Sequence, residues 1–289
     1  MKPGPIATAN LILETLDYDQ PPIALVELIT RIALEQKWVC DQVLAREKAE
    51  AWHDAALTKL QDSVNASIEA GRPSRIAFNS SSSNFIQGVC WIEPRDPPDA
   101  IDKKTRRLRL VSYAAILDEL TPRDFELLCG KLIGLLGVQT PTVTRSSADE
   151  GIDFYGVLSL ESVFFPHDLT STIQRQLSIW LVGQAKHYKA IQSGTSEIRD
   201  LVGAIALGRA NTFGSLAAPF KDFNPRVTDP VFALLITTGT FSVNAWRLLR
   251  RSGVIGMDGE MVAAFLADRG AGLNTPTFQR DEFLRWIQS

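Results

Sequence analysis

Alternating helix and strand patterns between residues 120 and 270 constrain this chain more than any other feature. One helical pattern comes first, followed by three strand candidates, a second helix, another strand and closing helices. The run DPVFALLIT is continuously apolar, as a strand buried on both faces is. Helices and strands that alternate in this way pack on both faces of a sheet. The sequence therefore predicts an α/β domain with a mixed sheet flanked by helices.

The first helix of this region has clear boundary signals. Thr121 is a suitable N-cap, Pro122 fits the first helical position, and Gly137 is a typical stop. The apolar residues between these boundaries share one face of the predicted helix: Phe125, Leu128, Cys129, Leu132, Ile133 and Leu136. We expect this face to pack against the sheet.

A proline-rich and then charged segment, RDPPDAIDKKTRRLRL, divides the chain. Residues 23–70 have helical periodicity, and two short strand candidates then flank a run of serines. We therefore expect a mainly helical N-terminal domain at 1–98, with a winged-helix-like module as one interpretation. Its role would be recognition, regulation or assembly. Residues 99–119 are interpreted as a linker, and residues 120–289 as the second domain.

Composition limits the cellular setting and the kinds of site. Hydrophobic residues make up 45% of the chain and charged residues 22%, which is typical of a soluble globular protein. The cysteines Cys40, Cys90 and Cys129 show no CxxC spacing, so we expect free thiols in a reducing cytoplasm and no zinc cluster. No apolar run reaches the roughly 18 residues that a membrane span needs, so no membrane partner is expected.

The charge of the chain gives mixed evidence on whether it binds nucleic acid. The net charge of −3 argues against a dedicated DNA-binding protein, which is usually basic. Residues 103–109 and 247–251 are nevertheless locally basic. Each stretch is either a solvated face or a contact with phosphate, and the sequence alone leaves both open.

Polar residues interrupt the strand candidate IWLVGQAKHY. Gln184 and Lys186 are two residues apart, so in a strand they project from the same face, about 7 Å apart. A central strand buries polar groups at a cost unless they have partners. Asp153 lies on the neighbouring strand candidate GIDFYGVL and is the expected partner.

These residues could hold a hard divalent cation. The Asp153 carboxylate, the Gln184 amide oxygen and the carbonyl between Gln184 and Lys186 are the oxygen ligands that Mg²⁺ prefers. Lys186 could hold a water near a scissile phosphate or stabilise charge that develops on it. Glu126 could add a second acid, or it could simply favour the start of its helix.

Five segments, in order, carry a family resemblance. They are FELLCGKLIGLLG, VTRSSADEGIDFYG, LVGQAKHY, EIRDLVGAIALGRA and LLITTGTFSVNAWRLL. Together they resemble the catalytic domain of Mrr-like restriction endonucleases, in the PD-(D/E)xK nuclease superfamily, over about residues 120–270. The resemblance implies an αβββαβ core that cuts nucleic acid with Mg²⁺, for which Mn²⁺ can substitute.

The resemblance also implies roles by position. Asp153 and Gln184 resemble the metal-binding pair, Lys186 the catalytic lysine, and Glu126 the helical acid that many members add to the metal site. Candidates for contact with backbone phosphate follow from TTGTFS and from the second basic stretch: Thr237, Thr238, Ser242, Arg247, Arg250 and Arg251.

Three features depart from the family pattern. Ile152 replaces the proline of the superfamily name, and Glu150 stands where many members have a second glycine. Residues 157–178 form a long insertion that is not part of the core and could shape substrate choice or bind a partner.

The sequence thus predicts a Mg²⁺-dependent DNA endonuclease of prokaryotic defence, acting on foreign or modified DNA. We expect the N-terminal region, or a regulatory or ATPase partner protein, to restrain it. A homodimer is an open possibility, because double-strand cutting usually needs two active sites. The alternatives are a catalytically silent nucleic-acid-binding or scaffold subunit, an RNA-cutting nuclease of the same fold, or a junction resolvase.

Overall fold

The computed structural model describes residues 2–144, 151–158, 178–188, 192–210, 222–273 and 277–289. The chain divides into two compact units, Met1–Arg109 and Leu110–Ser289. The division lies inside the segment interpreted as a linker, 99–119. Most of that segment is helical, however, so the second unit begins at Leu110 rather than at residue 120.

The first unit combines helices with a small antiparallel sheet of strand order β1-β3-β2. Its elements are α1 (Pro5–Thr15), β1 (Ile23–Ala24), α2 (Leu25–Glu35), α3 (Gln42–Glu69), β2 (Ile76–Asn79), β3 (Ser82–Gly88) and α4 (Pro98–Arg107). This element order is compatible with a winged-helix module, and that interpretation stays a prediction.

The second unit is a mixed α/β domain. Its elements are α5 (Leu110–Glu119), α6 (Pro122–Leu135), β4 (Thr142–Val143), β5 (Phe154–Leu158), β6 (Ile179–Lys186), β7 (Gln192–Ser193), α7 (Ser196–Arg209), β8 (Val231–Thr237), β9 (Thr240–Phe241), α8 (Val243–Ser252), β10 (Ile255–Met257), α9 (Gly259–Arg269) and α10 (Arg280–Gln288). Five strands form a sheet of order β10-β8-β6-β5-β4. β5 is antiparallel to β4 and β6, while β6, β8 and β10 are parallel. The succession α6, β4, β5, β6, α7, β8 confirms the predicted αβββαβ core.

Helix α6 forms where its boundary signals predict. The Thr121 hydroxyl accepts a hydrogen bond from the Asp124 N–H at 3.1 Å, and Pro122 occupies the first turn. Phe125 is fully buried, as are most of the other residues on the predicted apolar face. Leu136 differs, with 38% of its surface exposed, because it lies one position beyond the last helical residue.

Strand β6 is central, as its apolar run predicts, and Gly183 sets its spacing from both neighbours. Gly183 pairs with Phe154 of β5 and with Leu234 of β8. A Cβ atom at position 183 would overlap the Phe154 ring and lie 2.7 Å from the Leu234 carbonyl oxygen. The close approach of the three strands therefore requires glycine here.

Helix α5 packs within the second unit. Tyr113 is fully buried, and its hydroxyl donates to the Ala271 carbonyl oxygen at 2.7 Å. Ile116 and Leu117 are buried on the same helix. Residues 110–119 thus contribute to the core of this unit.

None of the helices in the described part of the chain is long and apolar enough to cross a membrane.

Candidate active site

Asp153 lies just before β5, where the pairing with β6 is irregular. Its N–H donates to the Gly183 carbonyl oxygen at 2.9 Å, although the Cα partner of Gly183 is Phe154. Two successive residues therefore face one residue of β6, as in a β-bulge. At this position the Asp153 Oδ2 accepts a hydrogen bond from the Ala185 N–H at 2.7 Å. The Asp153 carboxylate therefore lies against the backbone of Ala185, the residue between Gln184 and Lys186.

Gln184 is a buried polar residue on the central strand. Only 5% of its surface is exposed. Its Oε1 is buried and has no hydrogen-bond partner within the described ranges. A buried acceptor without a donor is costly and uncommon in native structures. This unpartnered oxygen belongs to the strand whose Ala185 N–H binds the Asp153 carboxylate. It is therefore suited to bind a cation.

Lys186 is half-buried at the end of β6. It is two residues from Gln184 along a strand, so the two side chains share a face, as the sequence predicts. Its carbonyl oxygen accepts from the Thr238 N–H at 3.2 Å, which fixes the strand end against the segment that follows β8. The backbone of Lys186 is therefore held in place by a hydrogen bond from the residue that follows β8.

Glu126 is on α6 and is 22% exposed. It lies beyond the first helical turn, whose acid is Asp124, so the alternative role at the helix start is not supported. Its Oε2 lies 2.7 Å from the Arg123 Nη1. The helical acid is therefore already engaged in an ion pair.

Cys129 is a buried thiol whose pKa responds to the charges of both acids. Burial raises the pKa of its thiol well above the ordinary value, and the negative charges of Asp153 and Glu126 raise it further. Both carboxylates must be close to Cys129 to act on it. Within the described residues, no group of three or more His, Cys, Asp or Glu side chains is placed to hold a metal ion.

The donor set fits Mg²⁺ or Mn²⁺. A carboxylate, a buried amide oxygen and a peptide carbonyl are hard oxygen donors, and such ions accept water at their remaining positions. Asp153 and Gln184 would hold the ion, with Glu126 as an additional acid once it leaves Arg123.

Comparison with known families agrees with this arrangement. Residues 117–218 match the Mrr catalytic family, whose description is restriction endonuclease. The resemblance predicted from the sequence is confirmed for this segment, which includes α6, β4, β5, β6 and α7. The segment that is similar to this family contains Asp153, Gln184 and Lys186.

Two solved structures are similar to the chain. One is a DNA modification-dependent restriction endonuclease, AspBHI, with 23% identity and a TM-score of 0.38; the match covers 68% of this chain and 41% of that one. The other is the MspJI restriction endonuclease in complex with a 27-mer oligonucleotide, with 17% identity and a TM-score of 0.39; it covers 68% of this chain and 39% of that one. The chain thus spans about two fifths of the length of these proteins. No curated protein matches the chain.

The threonine hydroxyls predicted to contact phosphate have hydrogen-bond partners within the protein. Thr237 is fully buried, and its Oγ1 accepts from the Gly239 N–H at 3.1 Å. The Thr238 Oγ1 accepts from the Tyr188 N–H at 3.0 Å and donates to the Tyr188 carbonyl at 3.2 Å. Both hydroxyls are thus engaged within the protein, and their contact with phosphate stays a prediction.

Helix α8 carries the remaining phosphate candidates. The Ser242 Oγ caps it by accepting from the Ala245 N–H at 3.2 Å. Arg247, Arg250 and Arg251 are all exposed on this helix. The last two lie in its final turn, where positive charge also favours the helix dipole. Their contact with phosphate stays a prediction.

Sequence reasoning missed two residues that contact this site. The Thr144 N–H donates to the Asp153 carbonyl oxygen at 2.9 Å, and the Arg123 Nη1 donates to the Thr144 carbonyl at 2.6 Å. No sequence motif marks either residue, because both contacts depend on how α6 and β4 meet.

The departures from the family pattern are only partly visible. Ile152, in place of proline, is fully buried and packs with Tyr155 and Trp180. Glu150 lies outside the described residues, as does most of the insertion, 159–177.

Proposed function

We propose that this chain is a divalent-metal-dependent endonuclease that hydrolyses phosphodiester bonds in DNA. One observation carries this function: the Asp153 carboxylate accepts a hydrogen bond from the Ala185 N–H, and Ala185 stands in the sequence between Gln184, whose buried side-chain oxygen has no partner among the described residues, and Lys186. All of them lie in a segment that matches a restriction endonuclease family.

Each side chain would have a distinct role. A bound Mg²⁺ would polarise the scissile phosphate and lower the pKa of water. Asp153 and Gln184 would hold the ion, and Glu126 would add charge. The Lys186 ammonium would stabilise negative charge on the phosphate in the transition state, in a partly buried setting where such an interaction is strong.

Substitution of the site residues tests this function. We expect Lys186→Ala to abolish cleavage of plasmid DNA in Mg²⁺ without loss of folding, because it removes charge stabilisation alone. Asp153→Ala should also abolish cleavage and in addition weaken Mn²⁺ binding. The measurements are gel-based nicking and linearisation, with circular dichroism as the check on folding.

Lys131→Ala is the matched control for the loss of a lysine. Lys131 lies on α6, but its ammonium is 3.2 Å from the Ser289 Oγ and over the Trp286 ring. This variant should cut at the original rate. Retained cutting by both site variants would reject the site, and a chain that binds DNA without cutting it would favour the silent-subunit alternative.

The choice of substrate and the biological role are separate proposals that go beyond phosphodiester cleavage. We propose a role in prokaryotic defence against foreign or modified DNA, with an N-terminal unit or a partner protein that restrains cutting. Incubation in Mg²⁺ with methylated DNA, plain DNA, single-stranded DNA and RNA distinguishes these substrates. Preferred cutting of RNA would replace DNA as the target and leave the site unchanged.

A further inference from the structure

We infer that Thr144 is a positioning residue that holds Asp153 at the bulge where its carboxylate meets Ala185, a role that rests on the proposed metal-dependent cleavage. Thr144 is 5% exposed and directly follows the two-residue strand β4. Its hydrogen bonds go to the Ile152 and Asp153 carbonyls and to Arg123, so its effect on the site would pass through Asp153.

Thr144 is bonded through each of its polar groups. Its N–H donates to the Asp153 carbonyl at 2.9 Å. Its Oγ1 lies 2.9 Å from the Ile152 carbonyl oxygen and 3.2 Å from that of Asp153. Its own carbonyl accepts from Arg123 at 2.6 Å. The residue thus links helix α6 to the backbone on both sides of the Ile152–Asp153 peptide bond.

The position of Asp153 needs such support. Asp153 precedes the regular part of β5, and its N–H is bonded to Gly183 out of register with Phe154. A bulge leaves the ladder locally disrupted, so β6 alone fixes only one side of the residue. Thr144 fixes the other side. Together they place the carboxylate at 2.7 Å from the Ala185 nitrogen.

Arg123 extends this connection to the helical acid. One guanidinium nitrogen, Nη1, contacts both the Thr144 carbonyl and the Glu126 carboxylate. The same cation therefore fixes the helical acid relative to the strand that carries Thr144. Its side chain is 44% exposed, so it can be replaced with little effect on the core.

The deciding experiment compares Thr144→Val with Thr144→Ser in the full chain. Valine keeps the size and the backbone bonds but removes the hydroxyl donor, whereas serine keeps the donor. We expect Thr144→Val to speed hydrogen exchange at the Ala185 amide and to weaken Mn²⁺ binding, measured by electron paramagnetic resonance titration, by about three- to tenfold, the effect of one lost hydrogen bond. Thr144→Ser should restore both, with DNA affinity unchanged throughout.

The outcomes separate this role from the proposed function. If Thr144→Val binds Mn²⁺ and protects Ala185 as the original chain does, the positioning role is wrong. If Thr144→Val fails to fold, Thr144→Ala replaces it, because it also removes the hydroxyl, and unchanged Ala185 exchange in that variant overturns the role equally. A wild-type chain that neither binds Mn²⁺ nor cuts refutes the nuclease function, while the Ala185 exchange still reports whether Thr144 holds Asp153.

Discussion

The two acids of the site act on a residue that takes no part in the chemistry. Cys129 is fully buried, and its raised pKa keeps the thiol protonated. A protonated, buried thiol is a poor nucleophile. Burial first, and the charges of the two acids second, therefore protect this cysteine from modification.

Thiol labelling tests this consequence. We expect Ellman's reagent at pH 8 to modify Cys40 rapidly, because it is exposed, and to leave buried Cys90 and Cys129 unreacted until the chain unfolds. Cys40→Ser should remove the fast phase, followed by absorbance at 412 nm. Fast labelling that persists in Cys40→Ser would mean that the core around Cys90 or Cys129 opens readily.

At the scale of elements, the proline-rich segment that divides the chain proved to be more regular than its composition indicates. Pro98 lies in this segment, yet it occupies the first turn of helix α4, where its missing N–H costs nothing. No residue of α4 is buried, so no apolar periodicity marks it. Ile23 and Ala24 were expected to be helical but pair with β3 as a short strand.

Helix α5 gives a prediction about domain limits. We expect a fragment of residues 110–289 to fold cooperatively, and a fragment of residues 120–289 to melt at a clearly lower temperature. The shorter fragment loses four buried residues: Leu110, Tyr113, Ile116 and Leu117. Removing even one large buried side chain costs about 2–5 kcal/mol.

Differential scanning calorimetry of both fragments is the measurement. Equal melting temperatures would show that α5 adds nothing to this unit. If the longer fragment folds, its cutting rate against that of the full chain then tests the proposed restraint by the N-terminal unit, and equal rates would remove that restraint.

At the scale of the whole molecule, the sequence predicts what local patterns encode. The cap at Thr121, the central strand β6 and the order of the αβββαβ core all follow from periodicity and boundary residues, and the structure has them. The bulge at Asp153 and the contacts of Thr144 do not follow, because they arise only when distant segments pair. The side chains of the proposed site can thus be predicted from sequence motifs, whereas the backbone geometry that positions Asp153 cannot.

Gly183 shows how far that geometry reaches. It bears no functional group, and it stands directly before the Gln184–Lys186 segment. We expect Gly183→Ala to abolish DNA cutting although every proposed reactive side chain remains, since a single methyl group would force β5 and β8 away from β6. Loss of Ala185 amide protection would accompany the loss of cutting, whereas an active variant would show that the sheet yields. A sequence search for inactive relatives that checks only Asp153, Gln184 and Lys186 would therefore classify a protein with alanine at position 183 as active.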